Sequence, residues 1–520
     1  MKISCDVAVI GSGFGGAITA LIARQIGLSV VLLERGKHPR FAIGESSTPL
    51  ANLLFEELAE RYSIPWLSHF SKWGTWQQNH PEVACGLKRG FTFYHHTLDE
   101  PFLPDAARRN ELMVAASPRD RVADTHWYRP DFDAFLADRA AASGAEYLDE
   151  TEVVTARVSI DHVHLACRRK SHPVDVRARL VLDATGPRGA LHQKLALSEV
   201  PFKHIPRTEA VFAHFENVSR WSDSHGDRQG VPYPPDDAAV HHVFPGGWIW
   251  ILRFNNGLVS AGAALTRDFA DQLRNGASGA PGSPEATWDR LLDRLPSVRQ
   301  LFRGARNTVP FGYLTSLSFR SEQAAGSRWA LLPSAAGFVD PLLSTGFPLT
   351  LLGISRLGDI LAQGWEDEAG RSRLTHYAAL TFEELDRTER LVAALYANLN
   401  DFEAFSNLTR LYFAAASFTE TARRLRKPEL AGGKFLLGDH GDFERGFRVC
   451  VDLALRSGGD RNTDQLRAEI LRTIEPVDVA GLGREEARNW HPVDIEDLFA
   501  ARQKLGVSRA AISDLCRTCF

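Results

Sequence analysis

The sequence lacks the features that mark membrane, secreted and nucleic-acid-binding proteins. No apolar run in its 520 residues approaches the roughly 18 to 20 that a membrane span needs. Residues 1–6 lead straight into a strand pattern and show no signal peptide. The net charge of −4 excludes a strongly basic surface for nucleic acid. We therefore expect a cytoplasmic protein without a nucleic-acid partner or a membrane span.

Cysteine and histidine are present, but not in the spacing of metal sites or disulfide frameworks. The six cysteines are scattered, and the CxxC at 516–519 has no second ligand pair. Histidines stand in adjacent pairs at 95–96 and 241–242, and neighbours in a strand point to opposite faces. We therefore predict no metal site.

A glycine-rich turn between a buried strand and a helix is the first informative motif. The turn contains a GxGxxG spacing with a phenylalanine inside it, formed by Gly11, Gly13, Phe14 and Gly16. Glycines at these positions allow a tight turn, a close approach to a pyrophosphate and packing of the helix on the strand. Glu34 follows the next strand, where a carboxylate can accept hydrogen bonds from ribose hydroxyls. This pattern predicts a dinucleotide site.

Two later segments favour FAD over NAD as the dinucleotide. Asp183-Ala184-Thr185-Gly186 follows a buried strand and resembles the segment that returns to the flavin in two-domain flavoproteins. Asp340 lies in Gly337-Phe338-Val339-Asp340-Pro341, which resembles a later segment whose aspartate holds the ribityl chain. Either could be an ordinary glycine turn, but together with the first turn they stand in the expected order.

Hydrophobic periodicity predicts an α/β fold of the two-domain, Rossmann-like, FAD-binding type. Residues 205–265 alternate with period two, which is typical of an antiparallel sheet, and the chain is mostly helical beyond residue 370. The helical part is expected to cover the active site. We expect three regions: a discontinuous FAD-binding core at 1–200 and 300–360, an antiparallel substrate-side sheet at 201–299, and a helical C-terminal region at 361–520.

Several motifs together resemble the flavin-dependent halogenases, and the resemblance covers roughly residues 5–360. It rests on the glycine turn, on residues 40–49, on Lys88 in the segment 85–91, on Trp248-Ile249-Trp250-Ile251 and on residues 340–346. The chain resembles the branch that acts on free phenolic compounds more than the tryptophan halogenases. The resemblance implies the flavoprotein monooxygenase/halogenase fold. It also implies that three residues of the segment 40–49 bind the cofactor, namely Arg40, Glu45 and Ser46.

The chemistry of the family explains why a lysine is needed. There, reduced FAD (FADH2) and O2 convert chloride or bromide into hypohalous acid, which the protein confines and delivers to an aromatic ring. The resemblance assigns that confinement to Lys88, as an ammonium group or, if burial makes the amine neutral, as a haloamine. Lys72 is a nearby rival, and an ordinary surface lysine is the alternative. Three residues are implied to hold the halide, namely Ser344, Thr345 and Gly346.

Two departures from the family pattern bear on the substrate. Trp248 and Trp250 share one face of a predicted strand, where the family separates substrate from flavin, but Leu252 replaces the usual proline. Leu343 stands where tryptophan halogenases carry a glutamate that assists proton removal. An electron-rich phenol or pyrrole needs less assistance, so we expect a small activated aromatic substrate.

The leading hypothesis is a halogenase that receives reduced flavin from a separate NAD(P)H-dependent flavin reductase. A second glycine fingerprint for NAD(P)H is missing, although single-component hydroxylases also lack one. The alternatives are an FAD-dependent monooxygenase of aromatic compounds, a prenyl-chain reductase, and a flavin-binding sensor that is not an enzyme.

Overall fold

The computed structural model describes residues 1–226, 228–274, 282–456 and 463–519. The strands, in chain order, are β1 (Lys2–Ile10), β2 (Val30–Leu33), β3 (Cys85–Lys88), β4 (Gly90–His95), β5 (Glu111–Ala115), β6 (Asp124–Trp127), β7 (Glu146–Leu148), β8 (Thr151–Val158), β9 (Val163–Arg169), β10 (His172–Asp183), β11 (Thr208–Glu216), β12 (Ala239–Phe244), β13 (Gly247–Arg253), β14 (Val259–Thr266), β15 (Arg306–Asn307), β16 (Gly312–Leu314), β17 (Phe319–Arg320), β18 (Ala325–Gly326), β19 (Trp329–Leu331), β20 (Gly337–Phe338) and β21 (Trp490–His491).

The helices, in chain order, are α1 (Phe14–Gln25), α2 (Pro49–Arg61), α3 (Trp73–Asn79), α4 (Arg129–Ala142), α5 (Ala190–Lys194), α6 (Trp221–His225), α7 (Arg267–Arg274), α8 (Pro284–Asp293), α9 (Pro296–Leu301), α10 (Pro333–Ala336), α11 (Gly346–Gln363), α12 (Glu368–Ala397), α13 (Phe402–Arg424), α14 (Pro428–Ala431), α15 (Gly441–Ala454), α16 (Thr463–Ile474), α17 (Ile495–Ala500) and α18 (Arg509–Cys519). None of the helices in the described ranges combines the length and the apolar character that a membrane crossing requires.

The predicted α/β class is confirmed by a sheet built around the glycine turn. Within the described residues this sheet has eight strands, and its main path runs β18-β19-β10-β1-β2-β7. Strand β1 is parallel to both β10 and β2, and its last four residues are buried. Because parallel strands end at the same edge, Gly11, Glu34 and Asp183 meet there.

A second, largely antiparallel sheet supports the tryptophan strand. In the described residues it has nine strands along the path β15-β11-β14-β13-β12-β4-β5-β21, with β16 paired to β11. Strands β11 to β14 match the period-two pattern, whereas β4, β5 and β21 come from distant parts of the chain. Ile249 and Ile251 pack on the cluster that includes α7 to α9, while Trp248 and Trp250 face the main core. Strand β13 therefore separates two packing regions.

The long helices α12 and α13 place the C-terminal region against the first half of the chain. Helix α13 buries an apolar stripe at helical spacing, and the same helix contacts α2. Ion pairs of Arg423 with Glu57 and of Arg424 with Glu56 fasten the two helices. Helix α2 itself begins after Thr48, whose hydroxyl accepts a hydrogen bond from Ala51 N at 3.3 Å.

Candidate active site

The glycine turn has the geometry of a dinucleotide cradle. Gly11 has a φ of +94°, and a Cβ added there would lie 2.9 Å from Ala184 O. A Cβ added to Gly16 would lie 1.8 Å from Gly11 O, so a side chain would push α1 away from the turn. Gly13, the N-cap residue of helix α1, has no side chain to cap the helix, so the positive end of the helix dipole lies at the turn. The turn therefore fits the pyrophosphate of FAD.

Two guanidinium groups add positive charge beside the turn. A Cβ on Gly13 would lie 3.2 Å from Arg129 Nη2 and 3.7 Å from Arg40 Nη2. Arg129 is held by Asp133 at 2.7 Å, and Asp133 accepts a hydrogen bond from Phe14 N at 3.1 Å. The cofactor contact of Arg40 stays a prediction. Arg129 was missed in the sequence, although its spacing of four residues from Asp133 on one helix is a recognisable signal.

The surroundings of Glu34 keep its carboxylate ionised and able to accept hydrogen bonds. Its carboxylate accepts hydrogen bonds from Ser12 N at 3.0 Å and Gly36 N at 2.8 Å, and it pairs with Arg40 at 3.2 Å. Burial alone would raise the pKa of Glu34, but Arg40 and these N–H groups outweigh it and hold the pKa below its usual value. The charge suits a bond to ribose hydroxyls, so Glu34 also fits FAD.

Asp183 and Asp340, which are predicted to contact the flavin, also accept hydrogen bonds from groups within the protein. Asp183 accepts hydrogen bonds from Thr185 N at 2.9 Å and Leu191 N at 2.6 Å, and so shapes the turn that contains Gly186. Gly186 has a φ of +83° and open space where a Cβ would stand. The contacts of Asp183 and Gly186 with FAD stay predictions.

Asp340 belongs to a buried chain of polar groups that reaches the tryptophan strand. Its carboxylate accepts hydrogen bonds from Leu342 N and from the Tyr396 hydroxyl, both at 2.9 Å. Trp248 Nε1 donates to the same Tyr396 hydroxyl at 3.1 Å. Burial raises the pKa of Asp340 to about 7, although these hydrogen bonds act in the opposite direction. Tyr396, which the sequence did not indicate, therefore connects Asp340 with Trp248.

Lys88 is a fully buried lysine at the end of β3, with none of its surface exposed. Its Nζ donates hydrogen bonds to Ser46 Oγ at 2.9 Å and to Ser47 O, and it lies 3.7 Å from the centre of the Phe91 ring. Burial lowers the pKa of Lys88, although the charge of Asp124 acts in the opposite direction. A neutral amine is therefore more accessible here than on a surface lysine.

Ser46 and Glu45, which the resemblance implies as cofactor residues, have different partners within the protein. Ser46 accepts the lysine hydrogen bond, whereas Glu45 is buried beside His214, whose Nε2 lies 2.8 Å from Glu45 Oε1. The rival Lys72 is one fifth exposed and lies 3.8 Å from Glu56. The cofactor contacts of Glu45 and Ser46 stay predictions.

Asp124 is a buried carboxylate that faces Lys88 across the β3–β6 ladder, and the sequence did not indicate it. The register pairs Lys88 with Asp124, and Asn52 Nδ2 donates to Asp124 Oδ1 at 2.6 Å. Burial raises the pKa of Asp124, with Lys88 acting in the opposite direction. A lysine and a carboxylate thus share one low-dielectric site.

The segment predicted to hold the halide is a strained turn that leads into α11. Leu343 and Ser344 have φ values of +65° and +55°, which residues other than glycine rarely adopt. Thr345 is buried, and Gly346 begins the helix without a side-chain cap. The backbone is therefore held in an unusual shape at the predicted halide site, and the halide contact stays a prediction.

A cavity of about 150 Å³ is lined by Asp124, the cross-strand neighbour of Lys88, and also by Lys72. Asp124 and Asn52 line one side, together with Phe91 of β4. Helix α13 contributes Tyr412, Phe413, Ala416, Ser417, Glu420 and Arg424, and further lining comes from residues 479–482 and 491–494 of the C-terminal region. Apolar walls with a few converging polar groups are typical of small-molecule sites.

The histidine pairs form contacts that their sequence order did not indicate. Because β12 and β4 are parallel neighbours, His96 Nε2 lies 2.9 Å from His242 Nδ1. Across the ranges that the structure describes, no group of three or more His, Cys, Asp or Glu side chains could hold a metal ion.

Comparison with known proteins agrees with this geometry. A model of the FAD dependent oxidoreductase family matches residues 6–347. The chain is 28% identical to the monodechloroaminopyrrolnitrin halogenase PrnC of Pseudomonas fluorescens, over 78% of this chain and 70% of that protein. It is also 28% identical to the tetracycline 7-halogenase of Kitasatospora aureofaciens, over 79% of this chain and 73% of that protein.

A solved structure extends the likeness to the C-terminal region. The halogenase PltM in complex with phloroglucinol and FAD is similar with a TM-score of 0.82 and 26% sequence identity, over 93% of this chain and 99% of that chain. The cradle of Gly11 and Gly16, the charge beside it and these relatives agree on FAD as the cofactor. The chain therefore belongs to the FAD dependent oxidoreductase family, as an enzyme that uses FAD, and it is similar to flavin-dependent halogenases over most of its length.

Proposed function

We propose that this protein transfers chloride or bromide, by way of Lys88, to an electron-rich aromatic ring such as a phenol or a pyrrole. The observation that carries the proposal is a fully buried lysine whose cross-strand neighbour, Asp124, lines a cavity of about 150 Å³. When bound, reduced FAD with O2 supplies the oxidant that turns halide into hypohalous acid. A separate NAD(P)H-dependent flavin reductase would supply the reduced FAD.

The surroundings of Lys88 suit the confinement of a small polar oxidant. The hydrogen bonds to Ser46 Oγ and Ser47 O hold Nζ in place, and burial keeps bulk water away. In the ammonium form the group can donate a hydrogen bond to hypohalous acid, and in the neutral form it can accept halogen. The lowered pKa makes both forms accessible near neutral pH.

The names of similar proteins support an aromatic substrate. Relatives include a pyrrole-2-carbonyl chlorinase of Pseudomonas fluorescens that acts on a carrier protein, and PltM was solved with phloroglucinol. Leu343 cannot supply the carboxylate of tryptophan halogenases, which favours a ring activated by its own oxygen or nitrogen.

The test is mass spectrometry of reactions that contain FAD, a flavin reductase, NADH, O2 and bromide, across phenols, resorcinols, indoles and pyrroles. The proposal expects a product with the bromine isotope pair that survives added catalase. The product should be absent with Lys88→Ala and present with Lys170→Ala, a matched change at an exposed lysine. An oxygenated product would favour a monooxygenase instead. If Lys72→Ala lost the product while Lys88→Ala kept it, the role would move to Lys72.

A further inference from the structure

Two buried oxygen atoms at the cavity lack hydrogen-bond partners. Asp124 Oδ2 and Asn52 Oδ1 find none in the part of the chain that the structure describes, and both side chains line the cavity. Unpaired buried acceptors are unfavourable, and native structures satisfy them with water or with ligands. The cavity therefore fits a ligand that brings hydrogen-bond donors to an otherwise apolar space.

The carboxylate of Asp124 is fixed in direction and still has one oxygen available. Asn52 Nδ2 holds Oδ1 at 2.6 Å, which orients the group. Residues opposite each other in an antiparallel pair have Cβ atoms about 4.5 to 5.5 Å apart, and Lys88 is the residue opposite. Lys88 Nζ is directed to Ser46 and Ser47, and among the described residues no ion pair joins it to Asp124. Asp124 Oδ2 is therefore an unpaired acceptor at the cavity wall, and Lys88 makes its hydrogen bonds elsewhere.

The charges around Asp124 make it a better base than an exposed aspartate. Burial raises its pKa, and the nearby charge of Glu420 acts in the same direction. Lys88 and Arg424 act in the opposite direction, and the Tyr412 hydroxyl is a further titratable group nearby. A carboxylate of this kind matches the weakly acidic proton of a phenol more closely than an ordinary one does.

We propose that Asp124 is the base that accepts the hydroxyl proton of a phenolic substrate while Lys88 holds the hypohalous acid. This inference rests on the proposed function and narrows its substrate to aromatic rings that carry a hydroxyl group. Tryptophan halogenases carry a glutamate at the position of Leu343. In this protein Asp124 of β6, opposite Lys88 on β3, would supply the carboxylate instead.

The proton and electron changes balance without another reactant. The Asp124 carboxylate takes the O–H proton and leaves a phenolate, whose ortho or para carbon attacks the halogen of hypohalous acid. The carbon–halogen bond forms, the halogen–oxygen bond breaks, and the departing hydroxide takes the proton from the halogenated carbon and becomes water, which restores aromaticity. Asp124 then returns its proton to the ring oxygen and is a carboxylate again.

The first experiment compares Asp124→Asn with the wild type on resorcinol and on its dimethyl ether, which has no hydroxyl proton. We expect the resorcinol rate to fall by about 100-fold or more, the scale of general base catalysis. The slower rate on the ether should be the same for both proteins, and FAD binding should not change. An equal loss on both substrates would show a structural role and overturn the proposal. Asp131→Asn is the matched control, because that half-buried carboxylate lies outside the cavity.

The second experiment needs no turnover and so separates this inference from the proposed function. The probe is 4-nitrophenol, whose phenolate form absorbs in the visible range, at a pH one unit below its own pKa. The wild type should bind it as the phenolate, and Asp124→Asn should bind it as the neutral phenol. Binding of the neutral form by the wild type would refute Asp124 as the base, even if halogenation is observed. Phenolate binding without any halogenated product would instead contradict the proposed function.

Discussion

Replacement of Gly16 by alanine tests the contact between the nucleotide turn and its helix. The new Cβ would lie 1.8 Å from Gly11 O and 3.1 Å from Ala184 Cβ, whereas real Cβ atoms essentially never come closer than 3.0 Å to another group. Because Gly11 O is backbone, no side chain can rotate away. Helix α1 must move by about 1.2 Å, the difference between the two distances.

The magnitude follows from packing and from linkage to the cofactor. Overpacking of a well-packed site costs about 1–3 kcal/mol, and the rigid backbone at Gly11 places this case at the upper end. The displacement also removes N–H groups from the pyrophosphate position. The variant then loses the stabilisation that bound FAD provides, about 2.7 kcal/mol when free FAD is 100 times its Kd.

The assay combines thermal unfolding with and without FAD and a titration of FAD by protein fluorescence. We expect Gly16→Ala to unfold at a lower temperature than the wild type and to show no increase on addition of FAD. Gly304→Ala is the control, because a Cβ there meets nothing within 4 Å. If Gly16→Ala bound FAD as tightly as Gly304→Ala, the cradle would not depend on this contact.

Three further predictions concern the buried polar chain and the cavity. Tyr396→Phe leaves Asp340 and Trp248 without a shared partner and should destabilise the protein by about 1–3 kcal/mol; an unchanged Tm would contradict this. The raised pKa of Asp340 favours folding at low pH, and that contribution is lost as pH rises from about 4 to about 7. In the FAD-free protein, Asp340→Asn should therefore gain stability relative to the wild type over that interval, by up to roughly 4 kcal/mol; a difference that does not change with pH would refute it. Ala416→Trp should fill the cavity and weaken 4-nitrophenol binding at least about tenfold while FAD binding persists; unchanged binding would place the substrate elsewhere.

The nucleotide site and the tryptophan strand could be predicted because their signals are local. The glycines of a GxGxxG turn are needed for a backbone conformation that other residues rarely adopt, so the motif can be recognised from the sequence. The residues on either side of the turn have strand and helix patterns of their own. The alternation of Trp248 and Trp250 with isoleucines likewise assigns them to one face without knowledge of their neighbours. Lys88 was selected by its resemblance to a family motif, and no local pattern showed that it would be buried.

The groups around these residues could not be predicted, because they come from distant parts of the chain. The hydrogen bond of Trp248 to Tyr396 spans 148 residues, and the one between Asn52 and Asp124 spans 72. The antiparallel pattern at 205–265 likewise did not indicate that β4, β5 and β21 would join the same sheet. Such pairings depend on which surfaces meet in the folded protein, and a single sequence does not specify them.

The sequence by itself thus determined the type of cofactor cradle, since the glycine turn follows from local backbone geometry, whereas Lys88 was selected only by its resemblance to a family motif. Only the tertiary structure decided that Lys88 is buried, that Asp124 lies opposite it on the neighbouring strand, and that Asp124, α13 and the segment 479–482 line one cavity. The reason is physical: burial, pKa and cavity shape arise from the packing of segments that are remote in sequence.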